Sequence, residues 1–298
     1  MAGLIKNAIP LFVIGVPRSG TTMLARLLST HPSIVQTYET SAFILFDNII
    51  KNAYYGSDAG IMYGKEYQNL WSNHLASIAK EVIESFYEKI FEVENRNDVR
   101  YWGDKHPHHN SCLPFIEKLY PDALYIYIVR DPRDVACSIA ENRKVTFEQA
   151  FDIWKKISED YEKFQNSVDS NRLYCIQYER IVENYEEAIS QIMDWLHIEF
   201  SHVVREYIRC KQGQDFHDPK KRTLNFSEKS MGRWKNHLSE KENNYALFHA
   251  ADYMAQYNYI TDSSALLLQL EAQKKFELVE STKEWLETIF QKHIAKLR

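Results

Sequence analysis

From Pro10 to Gly15 the chain reads PLFVIG, a short apolar run closed by a glycine, which predicts a fully buried parallel strand. VPRSGTT follows, and then MLARLLSTHP, where Met23, Leu24, Leu27 and Leu28 recur at helical spacing until Pro32 stops the turn. The order is strand, glycine-containing loop, helix. From Thr40 to about Val99 the pattern is helical and rich in aromatics, among them Phe43, Phe46, Tyr54, Tyr55, Tyr63, Tyr67, Trp71, Phe86 and Tyr87. This stretch, about 40–100, reads as a helical insertion beside the first strand-helix unit. Leu124 to Val129, LYIYIV, is a second strand between Pro121-Asp122 and the charged run RDPRD. A helix starts near Asp134 and runs to about Asn142, and Phe147, Phe151, Trp154, Ile157, Tyr161 and Phe164 mark another at spacings of three and four. Leu173 to Gln177 is a third strand and Tyr185 to Leu196 a further helix. Beyond Asp262 the pattern is helix alone, with Trp285, Leu286, Ile289, Phe290, Ile294 and Leu297 on one face.

Strands alternating with helices predict an α/β fold of three layers, with a central parallel sheet, the helical insertion and a helical carboxyl tail. The expected division is one domain over 1–261 and a helical extension over 262–298, whose apolar face suits packing on the domain or a homodimer contact.

Composition narrows the classes. Lys and Arg number 36 against 41 Asp and Glu, a net charge of −5 that speaks against nucleic acid as a partner. Hydrophobic residues at 45% and charged residues at 26% are values of a globular chain with a core to bury. Nine Gly and eight Pro leave little material for linkers, and no internal repeat is visible. Cys112, Cys137, Cys175 and Cys210 are far apart and form no CxxC pair, so neither a disulfide framework nor a zinc site is expected, and a cytoplasmic location fits. The apolar run after Pro10 is too short to span a bilayer and has no small-residue cleavage site after it, so no membrane partner is expected.

Two segments carry candidate chemistry. Gly15-Val16-Pro17-Arg18-Ser19-Gly20-Thr21-Thr22 has the glycine spacing of a P-loop between a strand and a helix. There, backbone N–H groups and the helix N-terminus converge on an anion. A nucleoside triphosphatase needs lysine where this chain has Thr21, and the cation stands instead at Arg18. The second segment places Arg130 at the carboxyl end of LYIYIV and Ser138 in the first turns of the next helix, a fork and a hydroxyl that suit a phosphate monoester. Taken alone, RDPRD reads equally well as a solvated, self-paired charge cluster.

Together these segments resemble the sulfotransferases that use 3′-phosphoadenosine 5′-phosphosulfate. The resemblance implies that Arg18, Ser19, Gly20, Thr21 and Thr22 hold the 5′-phosphosulfate and that Arg130 and Ser138 hold the 3′-phosphate. Ser230-Met231-Gly232-Arg233-Trp234-Lys235 is similar to the family's Gly-x-Trp-Lys region, which closes over the nucleotide, and Tyr178 in QYERIV matches a Tyr-Glu segment near the adenosine. Arg222 and Lys229 are further candidates for that closure. The likeness runs from about Pro10 to His237. It implies a nucleotide donor and a hydroxyl acceptor, with no metal required.

Sulfuryl transfer needs a base for the acceptor and a cation on the leaving oxygen. Glu39 lies eight residues after His31, and HPSIVQTYET resembles the tyrosylprotein sulfotransferases, in which a Glu at this interval after His-Pro is the base. Cytosolic small-molecule sulfotransferases carry their base two residues after a lysine, but here that position after Lys105 is Pro107. The resemblance therefore assigns Lys105 to the leaving oxygen and Glu39 to the base, with His106 next and His108 behind it. Glu39 also reads as a solvated helix-start carboxylate with Thr37 as its N-cap. The run HPHH lacks the spacing of a metal site. The acceptor is expected to be a small metabolite, a glycan or lipid hydroxyl, or a peptide tyrosine. A P-loop kinase is the rival enzyme, and a non-catalytic nucleotide-binding protein the rival binder.

Overall fold

The alternation inside LYIYIV sorts its side chains onto two faces, and the sheet is built on that sorting. In the computed structural model of the protein, which describes residues 4–55, 59–201, 204–205 and 230–260, five strands form one parallel sheet. They are β1 (Ile9–Ile14), β2 (Ile34–Tyr38), β3 (Tyr101–Lys105), β4 (Leu124–Val129) and β5 (Leu173–Gln177), in the spatial order β2-β3-β1-β4-β5. The helices are α1 (Leu4–Asn7), α2 (Thr21–Leu28), α3 (Ala42–Tyr55), α4 (Ala59–Val93), α5 (Leu113–Leu119), α6 (Pro132–Arg143), α7 (Phe147–Gln165), α8 (Tyr178–Glu183), α9 (Tyr185–Trp195), α10 (Trp234–His237) and α11 (Glu240–Gln256). No helix among the described residues is long and apolar enough to cross a membrane.

The chain divides into two units: residues 1–130 with 156–231, and residues 131–155 with 232–298. In the first, one face of the sheet is aliphatic. Leu11 and Val13 of β1 and Ile126 and Ile128 of β4 are buried with Leu24, Leu27 and Leu28 of α2 and with Ile181, Ile189 and Ile192 of α8 and α9. The other face is aromatic. Phe12 meets Phe43 edge to face at 5.1 Å and stacks on Tyr125 at 5.7 Å, Tyr87 lies 4.4 Å from Trp102, and Tyr125 and Tyr127 pack on Phe164 and Tyr161. Each of these rings buries a large apolar area, which is the main stabilising contribution. Phe43 is thus a core residue, whereas Trp71 is exposed on α4.

In the second unit α6 packs with α10 and α11. Its aromatic contacts join Phe151 to Tyr245 at 6.0 Å and Trp154 to Tyr253 at 4.9 Å. A capping box starts α11: Ser239 accepts from the Glu242 N–H, and the Glu242 carboxylate accepts in return from the Ser239 N–H. The extension expected over 262–298 lies outside the described residues, as do Cys210, Arg222 and Lys229.

The three strands expected from apolar runs are present, and the expected parallel α/β class holds. The stretch expected as helical insertion contains α3 and α4. Two further strands, β2 and β3, were not anticipated. Their interior positions include Gly103 and Asp104, which disfavour a strand on propensity alone, and the polar Gln36, which breaks the apolar pattern. Tertiary contacts explain them. A Cβ on Gly103 would stand 1.9 Å from the Leu11 carbonyl oxygen, so only glycine fits there. Across that gap Gln36, the register partner of Gly103, donates from Nε2 to the same carbonyl at 2.8 Å. Thr37 lies within β2 and is not a helix cap.

Candidate active site

The carboxyl end of every strand delivers a candidate residue to one edge of the sheet, where open α/β sheets bind ligands. Gly15 follows β1, Glu39 follows β2, Lys105 ends β3, Arg130 follows β4 and Tyr178 follows β5. The strand order places the β1 loop beside β3, and β3 beside β2.

The loop after β1 leads into α2 through Gly20, whose φ of 96° is left-handed. A Cβ there would stand 2.5 Å from the Tyr178 ring, so backbone conformation and space both require glycine. As N-cap, Gly20 has no side chain to occupy the first-turn N–H groups of α2, which suits the helix start to an anion. Ser19 and Thr21 are buried and Thr22 half-buried. Arg18 is exposed, in a left-handed conformation with φ 77°.

Arg130 ties this loop to the late segment. It is buried, and its Nη1 donates to the Arg18 carbonyl at 2.9 Å and its Nη2 to the Ser230 carbonyl. Its guanidinium lies 4.4 Å from the Tyr178 ring centre, while its buried Nε has no hydrogen-bond partner among the described residues. Tyr178 shares a hydrogen bond of 2.7 Å with the Ser230 hydroxyl. An orphaned guanidinium N–H beside uncapped helix N–H groups fits an anionic nucleotide.

The charge run RDPRD, whose last four residues lie in the second unit, is buried and not a solvated cluster. Arg133 donates to both Asp131 carboxylate oxygens at 3.0 and 2.8 Å and lies over Trp234 at 3.6 Å. Asp134 accepts from the Gly232 and Trp234 N–H groups at 2.7 and 3.0 Å. Arg233 pairs with Glu141, and Ser138 is buried on α6. Trp234 and Arg233 therefore have protein partners of their own within this unit.

The densest chemistry lies at the ends of β2 and β3. Lys105 Nζ donates to Glu39 Oε1 at 2.8 Å, the lysine side chain 5% exposed and the glutamate 54%. The Glu39 N–H also donates to the Lys105 carbonyl at 2.9 Å. The hydrogen bond from Lys105 holds the Glu39 carboxyl below its ordinary range against the opposing effect of burial. Glu39 and Ser41 have left-handed φ values of 56° and 58°. For side chains other than glycine each costs roughly 1–2 kcal/mol, so the surrounding bonds must hold the turn.

His106 belongs to this cluster with a fixed tautomer. The His108 backbone N–H donates to its Nδ1 at 3.1 Å, so the ring proton sits on Nε2 and is donated to the Ser41 hydroxyl at 3.2 Å. Burial, followed by the charge of His109, lowers its pKa. Both ring nitrogens are engaged, and neither has a lone pair free to accept a proton. His108 is exposed. Among the described residues no group of His, Cys, Asp and Glu is arranged to hold a metal.

The network behind the Lys105–Glu39 pair escaped the reading of the sequence. Asp104 is fully buried. Its Oδ1 accepts from the Thr37 hydroxyl at 2.8 Å and from the Thr40 N–H at 3.5 Å, and its Oδ2 stands 3.5 Å from His109 Nε2. The Tyr87 O–H completes the chain at 2.6 Å from Thr37 Oγ1. Burial acts to raise the Asp104 carboxyl, but the contact with His109 and the bonds from Thr37 and Thr40 outweigh it and hold it below its ordinary value. The signal was an aspartate directly before Lys105, inside a segment read for its histidines.

Comparison with known proteins bears on this site. The sequence profile of the sulfotransferase family matches residues 10–202. An uncharacterized protein of Aquifex aeolicus is 24% identical over 218 residues, 68% of this chain and 27% of that protein. Protein-tyrosine sulfotransferase 2 of Gallus gallus is 27% identical over 206 residues, 65% of this chain and 52% of that protein. The chain thus spans well under two thirds of these relatives' lengths. Among solved structures, the sulfotransferase domain from the curacin biosynthetic pathway has the same fold: TM-score 0.55 and 20% identity, over 80% of this chain and 96% of that one.

Proposed function

The chain belongs to the sulfotransferase family, and on that premise we propose that it moves a sulfuryl group from 3′-phosphoadenosine 5′-phosphosulfate to an acceptor hydroxyl. The observation that carries this reading is the Lys105–Glu39 pair of 2.8 Å at the ends of β3 and β2, beside the anion-binding loop after β1. A cation buried at the sheet edge and a carboxylate reaching solvent are what in-line transfer to a hydroxyl requires.

The donor supplies a sulfuryl group whose bond to the bridging phosphate oxygen breaks as the bond to the acceptor oxygen forms. Glu39, ionised across the neutral range, takes the acceptor proton. Lys105 turns its ammonium from Glu39 to the charge growing on the leaving oxygen, assisted by Arg18 and the loop N–H groups. Ser19, Gly20, Thr21 and Thr22 hold the 5′ end, and Arg130 and Ser138 the 3′-phosphate. A sulfuryl group carries less charge than a phosphoryl group, so these residues suffice without a metal. Tyr178, Ser230, Arg233 and Trp234 shape the nucleotide's surroundings. The likeness to protein-tyrosine sulfotransferases brings a peptide tyrosine as one acceptor, beside small metabolites and glycan or lipid hydroxyls. A cytoplasmic home is part of the reading, in keeping with cysteines that stand far apart in the sequence and form no CxxC pair.

The test is a thermal shift with 3′-phosphoadenosine 5′-phosphate in EDTA, beside ATP with magnesium. At about a hundred times its dissociation constant a ligand adds roughly 2.7 kcal/mol, a clear rise in Tm. A rise for the 3′-phosphorylated nucleotide without metal is expected. A rise for ATP alone would replace this reading with that of a kinase.

A further inference from the structure

We infer that Asp104, supported by His109, is a positioning residue for acceptor activation: it holds the Glu39–Ser41 turn in the one shape that brings the Glu39 carboxylate to Lys105. This rests on the reading of Glu39 as the base.

The turn is stitched residue by residue to the run that follows Gly103. Glu39 bonds twice to Lys105, the Thr40 N–H donates to Asp104, and the Ser41 hydroxyl accepts from His106. Two of its three residues are left-handed, a conformation that side chains other than glycine keep only when their neighbours over-determine it. Asp104 is the one fully buried charge in this stitching. A buried carboxylate is costly unless it is bonded, and nothing in the aromatic layer around it demands one. Phe12 and Phe43 pack on the His109 ring at 5.7 and 5.9 Å, so an apolar side chain would suit that layer at least as well. What the carboxylate does there is collect donors. The Thr37 hydroxyl lies 2.8 Å from Oδ1, closer than to its other acceptor, the Gly103 carbonyl at 3.2 Å, and shares a hydrogen bond with the Tyr87 hydroxyl, which fixes the Asp104 side chain from β2 and α4. With Oδ1 so fixed, it lies within reach of the N–H between the two left-handed residues.

The charged and titratable groups facing Glu39 are Lys105, His106 and Asp104. They give the test a sign. Deleting Asp104 as a mere charge would let the Glu39 carboxyl titrate lower still. Deleting it as an anchor would release Glu39 from Lys105 and let its pKa climb back toward the ordinary carboxylate range.

The experiment follows the Glu39 carboxyl by NMR in the full chain, labelled at glutamate and assigned through Glu39→Gln. In Asp104→Ala the midpoint is expected to rise, while Asp104→Asn, which keeps an oxygen acceptor at the same place, leaves it at or below the wild-type value. Turnover of the sulfuryl donor with 4-nitrophenol as probe acceptor should fall about tenfold or more in the alanine variant, with donor affinity unchanged, and be restored by asparagine. If Asp104→Ala does not unfold cooperatively, Asp104→Ser, too short to reach Thr40, replaces it. A midpoint that falls or stays in the alanine or serine variant overturns the inference. Failure of the wild-type protein to bind 3′-phosphoadenosine 5′-phosphate overturns the sulfotransferase reading instead, and the midpoint still decides the role of Asp104.

Discussion

Two buried charge clusters, one in each unit, differ in how completely they are satisfied. Around Arg133 the accounts close: both Asp131 oxygens, the Tyr259 carbonyl at 3.0 Å and the face of Trp234 surround the guanidinium, and Asp134 takes two backbone N–H groups. Around Lys105 they do not. Among the described residues its ammonium has one carboxylate partner, and that partner is more than half exposed. The first arrangement has nothing to offer a ligand without breaking itself. The second can exchange Glu39 for an incoming group at small cost, because the glutamate is already in contact with water. Burial of charge thus marks an anchor when every lone pair and proton is spent, and chemistry when one partner is displaceable.

The largest effect that would sharpen this contrast is on turnover. Lys105→Ala should lower it about a hundredfold or more, roughly 2.7 kcal/mol of transition-state stabilisation, with the affinity for 3′-phosphoadenosine 5′-phosphate changed only a few-fold. Single-turnover kinetics with the labelled donor measure this, and near-normal turnover removes Lys105 from the mechanism. On the other side, Asp134→Ala leaves the Gly232 and Trp234 N–H groups without their buried acceptor, and should cost about 2 kcal/mol of stability. Denaturant unfolding reads that loss. A change below about 0.5 kcal/mol would place Asp134 with ordinary surface substitutions and break the comparison.

The same contrast explains what could be read from the chain. β1 and β4 were legible because apolar runs report strands buried on both faces, and the edge strand β5, half-buried for most of its length, because Leu173, Tyr174 and Ile176 favour a strand. β2 and β3 were not, because Gln36, Gly103 and Asp104 owe their places to partners distant in sequence: the Leu11 carbonyl, the close approach of β1, and the Thr37 and Thr40 donors. Glu39 and Lys105 were named through the family resemblance, Glu39 by its interval from His31, although nothing in the sequence said that they touch. Asp104 and His109 were hidden because burial of a polar side chain is a tertiary property, and Tyr87 was one aromatic among many. The charge run around Arg133 was legible as a cluster, but its burial was not.

A middle-sized effect tests Arg130, which has features of both clusters: two donors spent on carbonyls and Nε left over. Arg130→Ala should erase the preference for nucleotides bearing a 3′-phosphate, a loss of about tenfold or more in the affinity ratio of 3′-phosphoadenosine 5′-phosphate to adenosine 5′-phosphate. Calorimetric titration of both ligands gives the ratio, in which any general loosening of the loop cancels. A retained preference moves the 3′-phosphate to the late basic segment.

The smallest effect is expected at His106, and its smallness is the point. Nδ1 accepts from the His108 N–H, and Nε2 gives its proton to Ser41, so the ring is neutral and has no lone pair to spare. Glu39, lowered by its bond to Lys105, titrates below the ordinary carboxylate value and is therefore ionised at neutral pH. Its folded pKa is depressed, so any stability it lends is present above the unfolded value and lost only as pH falls through the folded one. Turnover with 4-nitrophenol should therefore be flat on its acid side between about pH 5 and pH 7, and His106→Gln should lower it less than about threefold without bending that limb. Were His106 the base, the wild-type profile would show an acid limb below the ordinary imidazole value of 6.5, since burial lowers this ring. The variant would then lose that limb together with about a hundredfold or more of the rate. The two outcomes differ in both slope and magnitude, and they decide whether the displaceable partner at the sheet edge is the carboxylate or the imidazole.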